Sequence, residues 1–335
     1  MTYLPPTIAH VLARFQIDTE SVSNLVACEG GLSGSEAWKV VGSSACFCLK
    51  RMPAQFSVKR IEAIHAAANS RRKLGMTLLA GFLSTADDTT WFEHADHLWE
   101  LQTWMPGEPP FWPYPGPQKQ AMFHAIGQFH ALHTTPLKTS GLSPGIGTRK
   151  RLLEDWPSDR ISEAQARISR FGHPQWEPML SQFLDSFATY KTCLAETLTL
   201  VDRDSFELSD RIADPRPENF RFQGEKLTGL FDLGSMRWDN VALDVARLAS
   251  EVAEEGQIDW PFAFEAMQKH RPLSPPEERL AIILDAANVL LTGLNWIQWL
   301  VVDGISFRNC DHVSARLAHI ATRLTKIGQH AAWNL

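Results

Sequence analysis

Apolar and polar positions recur along this chain with two different periods. From about residue 21 to 105 the apolar residues come in short runs, NLVACEGG, AWKVVG, ACFCLKRM and WFEHADHLWELQTWM, separated by turn-forming residues. Runs of that length predict strands. One stretch with helical spacing, SVKRIEAIHAAANSRRKLG, lies between the third and fourth, and the opening MTYLPPTIAHVLARF predicts an amphipathic helix. After PGEPPFWPYPGP, a break dense in Pro and Gly, the pattern turns helical through QKQAMFHAIGQFHALHTT, EPMLSQFLDSFATYKTCLAETL and the C-terminal segments. Only residues 211–232 return to strand and loop. The pattern predicts an α+β chain: a small sheet lobe over residues 1–104, a hinge, and a larger, mainly helical lobe over 105–335 with a β-loop insert.

The longest apolar run, LAIILDAANVLLTGLNWIQWLVV (residues 280–302), has the length of a membrane span. Asp285, Asn288, Asn295 and Gln298 interrupt it, so it reads as the central helix of a large domain and no membrane partner is expected. At 335 residues the chain can bury a sizeable core. Its formal charge of −6 and pI near 6.1, with no Lys/Arg run, argue against a nucleic-acid partner, because phosphate binding needs a basic field. Five cysteines and an opening without a signal-peptide pattern predict a reducing, cytoplasmic setting. Cys46 and Cys48 fall on one strand face with no second pair to complete a zinc site, and read as buried thiols.

The stretch RIADPRPENFRFQGEKLTGLFDLGSMRWDN, residues 211–240, places Asp214, Asn219 and Asp232 at three points beside apolar, strand-like residues. Carboxylates in that setting are costly unless satisfied, and three oxygen-bearing side chains point to a metal or a reacting hydroxyl. Taken in order, GGLSGSEAWKV, CFCLK, a helix, LWELQTWMPG, D-x-x-x-x-N and FDLG resemble the aminoglycoside phosphotransferase and choline kinase group of small-molecule kinases. The resemblance covers roughly residues 25–300. It implies a protein kinase-like bilobal fold with an antiparallel-sheet N-lobe, and ATP- and Mg2+-dependent phosphorylation of a small-molecule hydroxyl.

The resemblance assigns roles residue by residue. Gly30, Gly31, Ser33, Gly34 and Ser35 would form a turn whose backbone N–H groups approach phosphate oxygens. Lys50 shares a strand face with Cys46 and Cys48 and would hold the α- and β-phosphates. Glu62, the acid of the following helix, would pair with Lys50, with His65 one turn on. The adenine would be held by backbone near Gln102 and Trp104. Asp214 would orient the acceptor hydroxyl and take its proton, while Asn219 and Asp232 would bind magnesium, brought together by a hairpin that turns near Gly224.

Some positions depart from the family pattern. Ile212 and Ala213 stand where the group writes His-Gly, which keeps open a catalytically inactive nucleotide-binding or scaffold relative. Arg211 and Arg216 read first as surface ion pairs, with an anionic substrate or the transferred phosphoryl as the alternative. Asp244 reads as a structural carboxylate that caps its helix or pairs with Arg247. His124, His130 and His133 read as helix-face histidines. Glu251, Glu254, Glu255, Asp259, Trp296 and Trp299 read as solvated acids and core tryptophans, the alternative being recognition of an amine. An aminoglycoside, a choline-like alcohol, a sugar and an amino alcohol all remain open as acceptor.

Overall fold

A computed structural model describes residues 3–28, 34–132, 139–307 and 309–335. In chain order its elements begin with helix α1 (Pro6–Arg14), strands β1 (Asn24–Ala27), β2 (Glu36–Val41) and β3 (Cys46–Arg51), and helix α2 (Val58–Lys73). Strands β4 (Phe92–His94) and β5 (His97–Thr103), helix α3 (Gly116–Ala131), strand β6 (Thr139–Gly141) and helices α4 (Pro144–Glu154), α5 (Ser158–Ile168) and α6 (Glu177–Thr199) follow. Strands β7 (Phe206–Arg211), β8 (Phe220–Gln223), β9 (Lys226–Leu230) and β10 (Arg237–Asp239) precede helices α7 (Ala242–Glu251), α8 (Trp260–Gln268), α9 (Pro275–Ile297) and α10 (Cys310–Leu324). The chain divides into two compact units, residues 1–136 with 218–236, and residues 137–217 with 237–335.

The first unit is built on an antiparallel sheet of order β1-β2-β3-β5-β4. Strand alternation decides its two faces. Leu49 and Leu101 point into a core closed by α1 through Ile8, Val11, Leu12 and Phe15. Their neighbours Cys48, Lys50, Glu100 and Gln102 therefore occupy the opposite face, with Lys50 directly across from Glu100 and Cys48 across from Gln102. The run WFEHADHLWELQTWM is not one strand but the hairpin β4–β5, turned by Ala95 and Asp96 at φ 50° and 58°. Glycine or asparagine normally marks such a turn.

The hairpin β8–β9 completes this unit, with Gly224 at its turn in the left-handed region. Glu108 and Phe222 exchange backbone hydrogen bonds of 3.0 and 2.8 Å, tying the segment after β5 to that hairpin. Gly107 makes the approach feasible: its φ is +101°, and a Cβ there would lie 2.4 Å from the Phe222 carbonyl oxygen. Gly107→Ala is expected to lower unfolding stability by about 2–3 kcal/mol, read from the urea midpoint at unchanged slope.

The second unit is mainly helical around α9, which continues as a π-helical turn to Val302. Helix and turn together, Pro275–Val302, are long and apolar enough to span a bilayer, yet 78 % of the most apolar window is buried. This is a core helix, as its interrupting polar residues predict. Gly293 allows α6 to pack closely, since a Cβ there would lie 2.9 Å from the Phe183 Cβ. The sheet β10-β7-β6 in this unit was not expected from the pattern. Its outer strands have only three residues each, too short to establish a period.

Candidate active site

In the first unit, the Lys50 Nζ donates to Asp232 Oδ1 at 2.6 Å, joining β3 to the end of the β8–β9 hairpin across 182 residues of sequence. The lysine side chain is 12 % exposed and the aspartate 46 %. Burial alone would lower the lysine pKa, but the carboxylates of Asp232 and Glu100 hold it above the ordinary value, so it stays an ammonium. Asp232 has φ +59°, a left-handed conformation that a non-glycine residue keeps only where its surroundings impose it. Next to it, the Gly234 carbonyl accepts from Arg60 Nη2 of α2 at 2.7 Å. Asn219 is buried at the start of β8, and its carbonyl oxygen accepts from the Phe231 N–H at 3.1 Å. The hairpin thus brings Asn219 and the residue before Asp232 into register.

The acid beside Lys50 corrects the expectation placed on Glu62. Glu62 is exposed on α2, accepts from Trp91 Nε1 at 3.3 Å, and makes no ion pair with Lys50. The buried position on that helix is His65, whose Nε2 meets Glu100 Oε2 at 2.8 Å while Nδ1 meets Thr90 Oγ1 at 2.7 Å. An ionised carboxylate only accepts, so Nε2 carries the hydrogen. A glutamate one strand away, fastened to α2 by a histidine, supplies the negative charge. Its position opposite Lys50 depends on the β3–β5 register, which no single motif reveals. Glu62→Ala is expected to change MgATP affinity by less than about twofold, the usual size of a surface substitution. Glu100→Gln is expected to weaken it further, and calorimetry on both variants distinguishes them.

Gln102 and Trp104 are also more committed than expected. The Gln102 amide side chain donates to Glu100 Oε1, and the backbone N–H groups of Thr103 and Trp104 donate to Gly81 and Cys46 carbonyls at 2.8 and 3.0 Å. The Lys39 Nζ lies 4.5 Å from the Trp104 ring centre. These groups belong to the sheet. Gly34 takes φ +75° just before β2, and Ser35 follows it; Gly30, Gly31 and Ser33 lie outside the described residues. Cys46 and Cys48, expected as buried thiols, are half-buried by exposed area; burial nonetheless pushes the Cys48 thiol pKa up to about 12, so it stays protonated.

In the second unit, Asp214 follows β7 in a loop held from below by Asp244. That carboxylate, fully buried, accepts from the backbone N–H of Ile212 at 2.7 Å and of Ala213 at 2.8 Å, and from Arg211 Nη1 at 3.1 Å. Asp244 plays a structural part, and the loop backbone and Arg211 are among its partners. Ile212 is buried, and Ala213 is left-handed at φ 73°. Where the family writes histidine, this chain fills the space with an apolar side chain and fixes the loop through backbone amides.

Asp214 Oδ1 accepts from Arg216 Nε at 2.9 Å and Arg247 Nε at 3.0 Å. Arg247 also reaches Glu251 Oε1 at 3.0 Å, and Glu251 is gripped by both Arg316 Nη groups at 2.7 and 2.8 Å. Burial would raise the Glu251 pKa, but Arg247 and Arg316 hold it far below the carboxylate range. Arg211 and Arg216 are thus partly buried pairs at the loop rather than surface bridges. Glu254 and Glu255 are exposed, Asp259 caps α8 through the Phe262 N–H at 3.0 Å, and Trp296 is a core residue packed against Trp299. His130 is buried against Phe129, and among the described residues no His, Cys, Asp and Glu group forms a metal cluster; His133 lies outside them.

A family model for the phosphotransferase enzyme family matches residues 25–280. Among solved structures, a spectinomycin phosphotransferase in complex with ADP and spectinomycin aligns with TM-score 0.67 at 10 % identity, covering 98 % of each chain. An aminoglycoside phosphotransferase from Alicyclobacillus acidocaldarius aligns with TM-score 0.59 at 16 % identity, over 100 % of this chain and 98 % of that one. A microcompartment-associated aminopropanol kinase gives 0.60 at 14 % identity, over 96 % of each. An amicoumacin kinase in complex with AMP-PNP, Ca2+ and Ami is similar as well. No curated protein matches the sequence. The fold is the α+β, protein kinase-like one: a small antiparallel-sheet unit and a mainly helical unit.

Proposed function

The chain belongs to the phosphotransferase enzyme family, and on that premise we propose that it transfers the γ-phosphoryl group of ATP to a hydroxyl of a small molecule. The observation that carries this reading is the 2.6 Å pair of Lys50 with Asp232, next to buried Asn219. A phosphate-holding lysine and a metal-binding aspartate have a common reason to be adjacent: both face the same polyphosphate. Asn219 and Asp232 offer an amide and a carboxylate, an all-oxygen donor set that suits a hard divalent cation such as Mg2+ and leaves its other positions to phosphate and water. Bound there, the cation would neutralise phosphate charge.

The remaining chemistry falls to the chain's own groups. As the acceptor oxygen bonds to phosphorus, the bond from phosphorus to the bridging oxygen of ADP breaks, and the hydroxyl proton passes to Asp214. A loose transition state asks little of the base beyond orientation, so an aspartate flanked by two arginines suffices. The clasp of Asp244 on Ile212 and Ala213 keeps that aspartate in place without the family's histidine, which favours an active enzyme over an inactive relative.

Calorimetric titration with ATP, with and without Mg2+, tests the reading against Asp232→Asn. Binding should depend on magnesium in the wild type and lose that dependence in the variant. A folded wild-type protein that binds no MgATP would sink the assignment.

A further inference from the structure

The second unit contains a cavity among α7, α9 and α10, lined by Arg247, Glu251, Asn288, Thr292, Arg316 and Arg323 among others. It begins one side chain from the proposed base, since Arg247 both lines it and donates to Asp214. Among the described residues of its lining, Glu251 is the one acid, and its two oxygens are already held by Arg316 and Arg247. No carboxylate of the lining is left to receive an ammonium group.

The donors tell the opposite story. Arg323 is 5 % exposed and gives Nη2 to Asp285, while its Nε and Nη1 are buried with no hydrogen-bond partner. Buried N–H groups left unpaired are costly, and a native structure keeps them where something else completes them. Asn288 accepts from Arg149 Nη2 at 2.5 Å, which commits its oxygen and turns its amide N–H groups into the donors it has to offer. Arg149, which stands behind Asn288 and outside the lining, has an unpartnered Nε, and burial together with neighbouring Arg211 lowers its pKa to about 10 against the opposing effect of Asp239. The lining thus offers donors in Arg323 and Asn288, while behind it the buried Asp285 Oδ1 is likewise without a hydrogen-bond partner.

We propose that the small molecule phosphorylated by this protein carries an oxyanion, a carboxylate or a phosphate, which seats against Arg323 and Asn288 while its hydroxyl meets Asp214. The inference rests on the kinase reading above and narrows it: the acceptor is anionic rather than an amine-bearing antibiotic or amino alcohol. Arginine suits this task because its planar fork matches carboxylate and phosphate oxygens.

A matched series on one carbon skeleton tests it: glycerate, glycerol 3-phosphate, glycerol and 3-amino-1,2-propanediol, titrated by calorimetry into protein already saturated with MgATP analogue. Either anion should bind about 10- to 100-fold more tightly than glycerol, the worth of a charge-assisted hydrogen bond, and the amine no better than glycerol. Whichever anion binds more tightly identifies the carboxylate or the phosphate as the group read. Asn288→Asp, nearly isosteric, adds a negative charge to the cavity and should remove the preference; Arg316→Gln serves as a second variant if the first does not fold. An amine that binds as well as the anions, no binding by any member, or a preference that survives Asn288→Asp would overturn the proposal, provided MgATP still binds. Failure of MgATP to bind the folded wild type would instead overturn the kinase reading.

Discussion

Asp214→Asn is expected to lower the turnover number for phosphoryl transfer about 10²- to 10⁴-fold, the range for loss of a positioned general base, while MgATP affinity changes little. The separation follows from where the residues sit. Lys50, Asn219 and Asp232 belong to the first unit, Asp214 to the second, and the carboxylate of Asp214 is engaged by Arg216 and Arg247. Asparagine keeps the size of the side chain but cannot take the hydroxyl proton. It also no longer neutralises two guanidinium groups that converge within 3.0 Å of one oxygen. Steady-state kinetics at saturating MgATP checks it: a fall in turnover without a rise in the KM for ATP supports the assignment, and turnover within tenfold of wild type excludes Asp214 as the base. Arg247→Gln offers a contrast, because it removes one partner of Asp214 and leaves the base itself.

The elements that were legible in the sequence are those with a local signature. The β8–β9 hairpin, its turn at Gly224 and the delivery of Asp232 to its end follow from apolar runs around a turn residue. The orientation of Lys50 follows from simple alternation with Leu49. Pairings that depend on long-range register were hidden. Nothing near Glu100 indicates that it stands opposite Lys50, and a helical glutamate, Glu62, was the more familiar partner. Glu251 presents the same problem. In sequence it is one acid in a run of acids, and only the fold, which places Arg316 of α10 within reach of α7, shows that the arginine holds both its oxygens. The left-handed turn at Ala95 and Asp96 was unreadable because neither residue prefers that conformation enough to announce it.

Asp285→Asn is expected to cost about 3–5 kcal/mol of unfolding stability, the penalty for leaving a buried partner charge uncompensated. Asp285 is fully buried in α9, and its Oδ2 accepts from Arg323 and meets His330 Nε2 at 2.9 Å. Burial would raise its pKa, but Arg323 and His330 outweigh that and hold it below the usual carboxylate value. A carboxyl depressed in the folded state binds its proton more readily when unfolded. Its stabilisation is therefore present above the unfolded pKa of about 4 and is lost as pH falls through the lower folded value. Glu251 and Glu277, also held low by arginines, act in the same direction. Urea denaturation of the wild type should weaken progressively below about pH 4, and Asp285→Asn should flatten that dependence while lowering the plateau at neutral pH. An unchanged acid slope in the variant would show that Asp285 is not a source of it. Pairing Asp285→Asn with Arg323→Met should recover part of the lost stability, because the unpaired cation is gone, yet the double variant should still lack the proposed oxyanion contact. Recovery of the fold without recovery of anion binding would separate the two roles of Arg323, ion-pair partner to Asp285 and donor to the cavity.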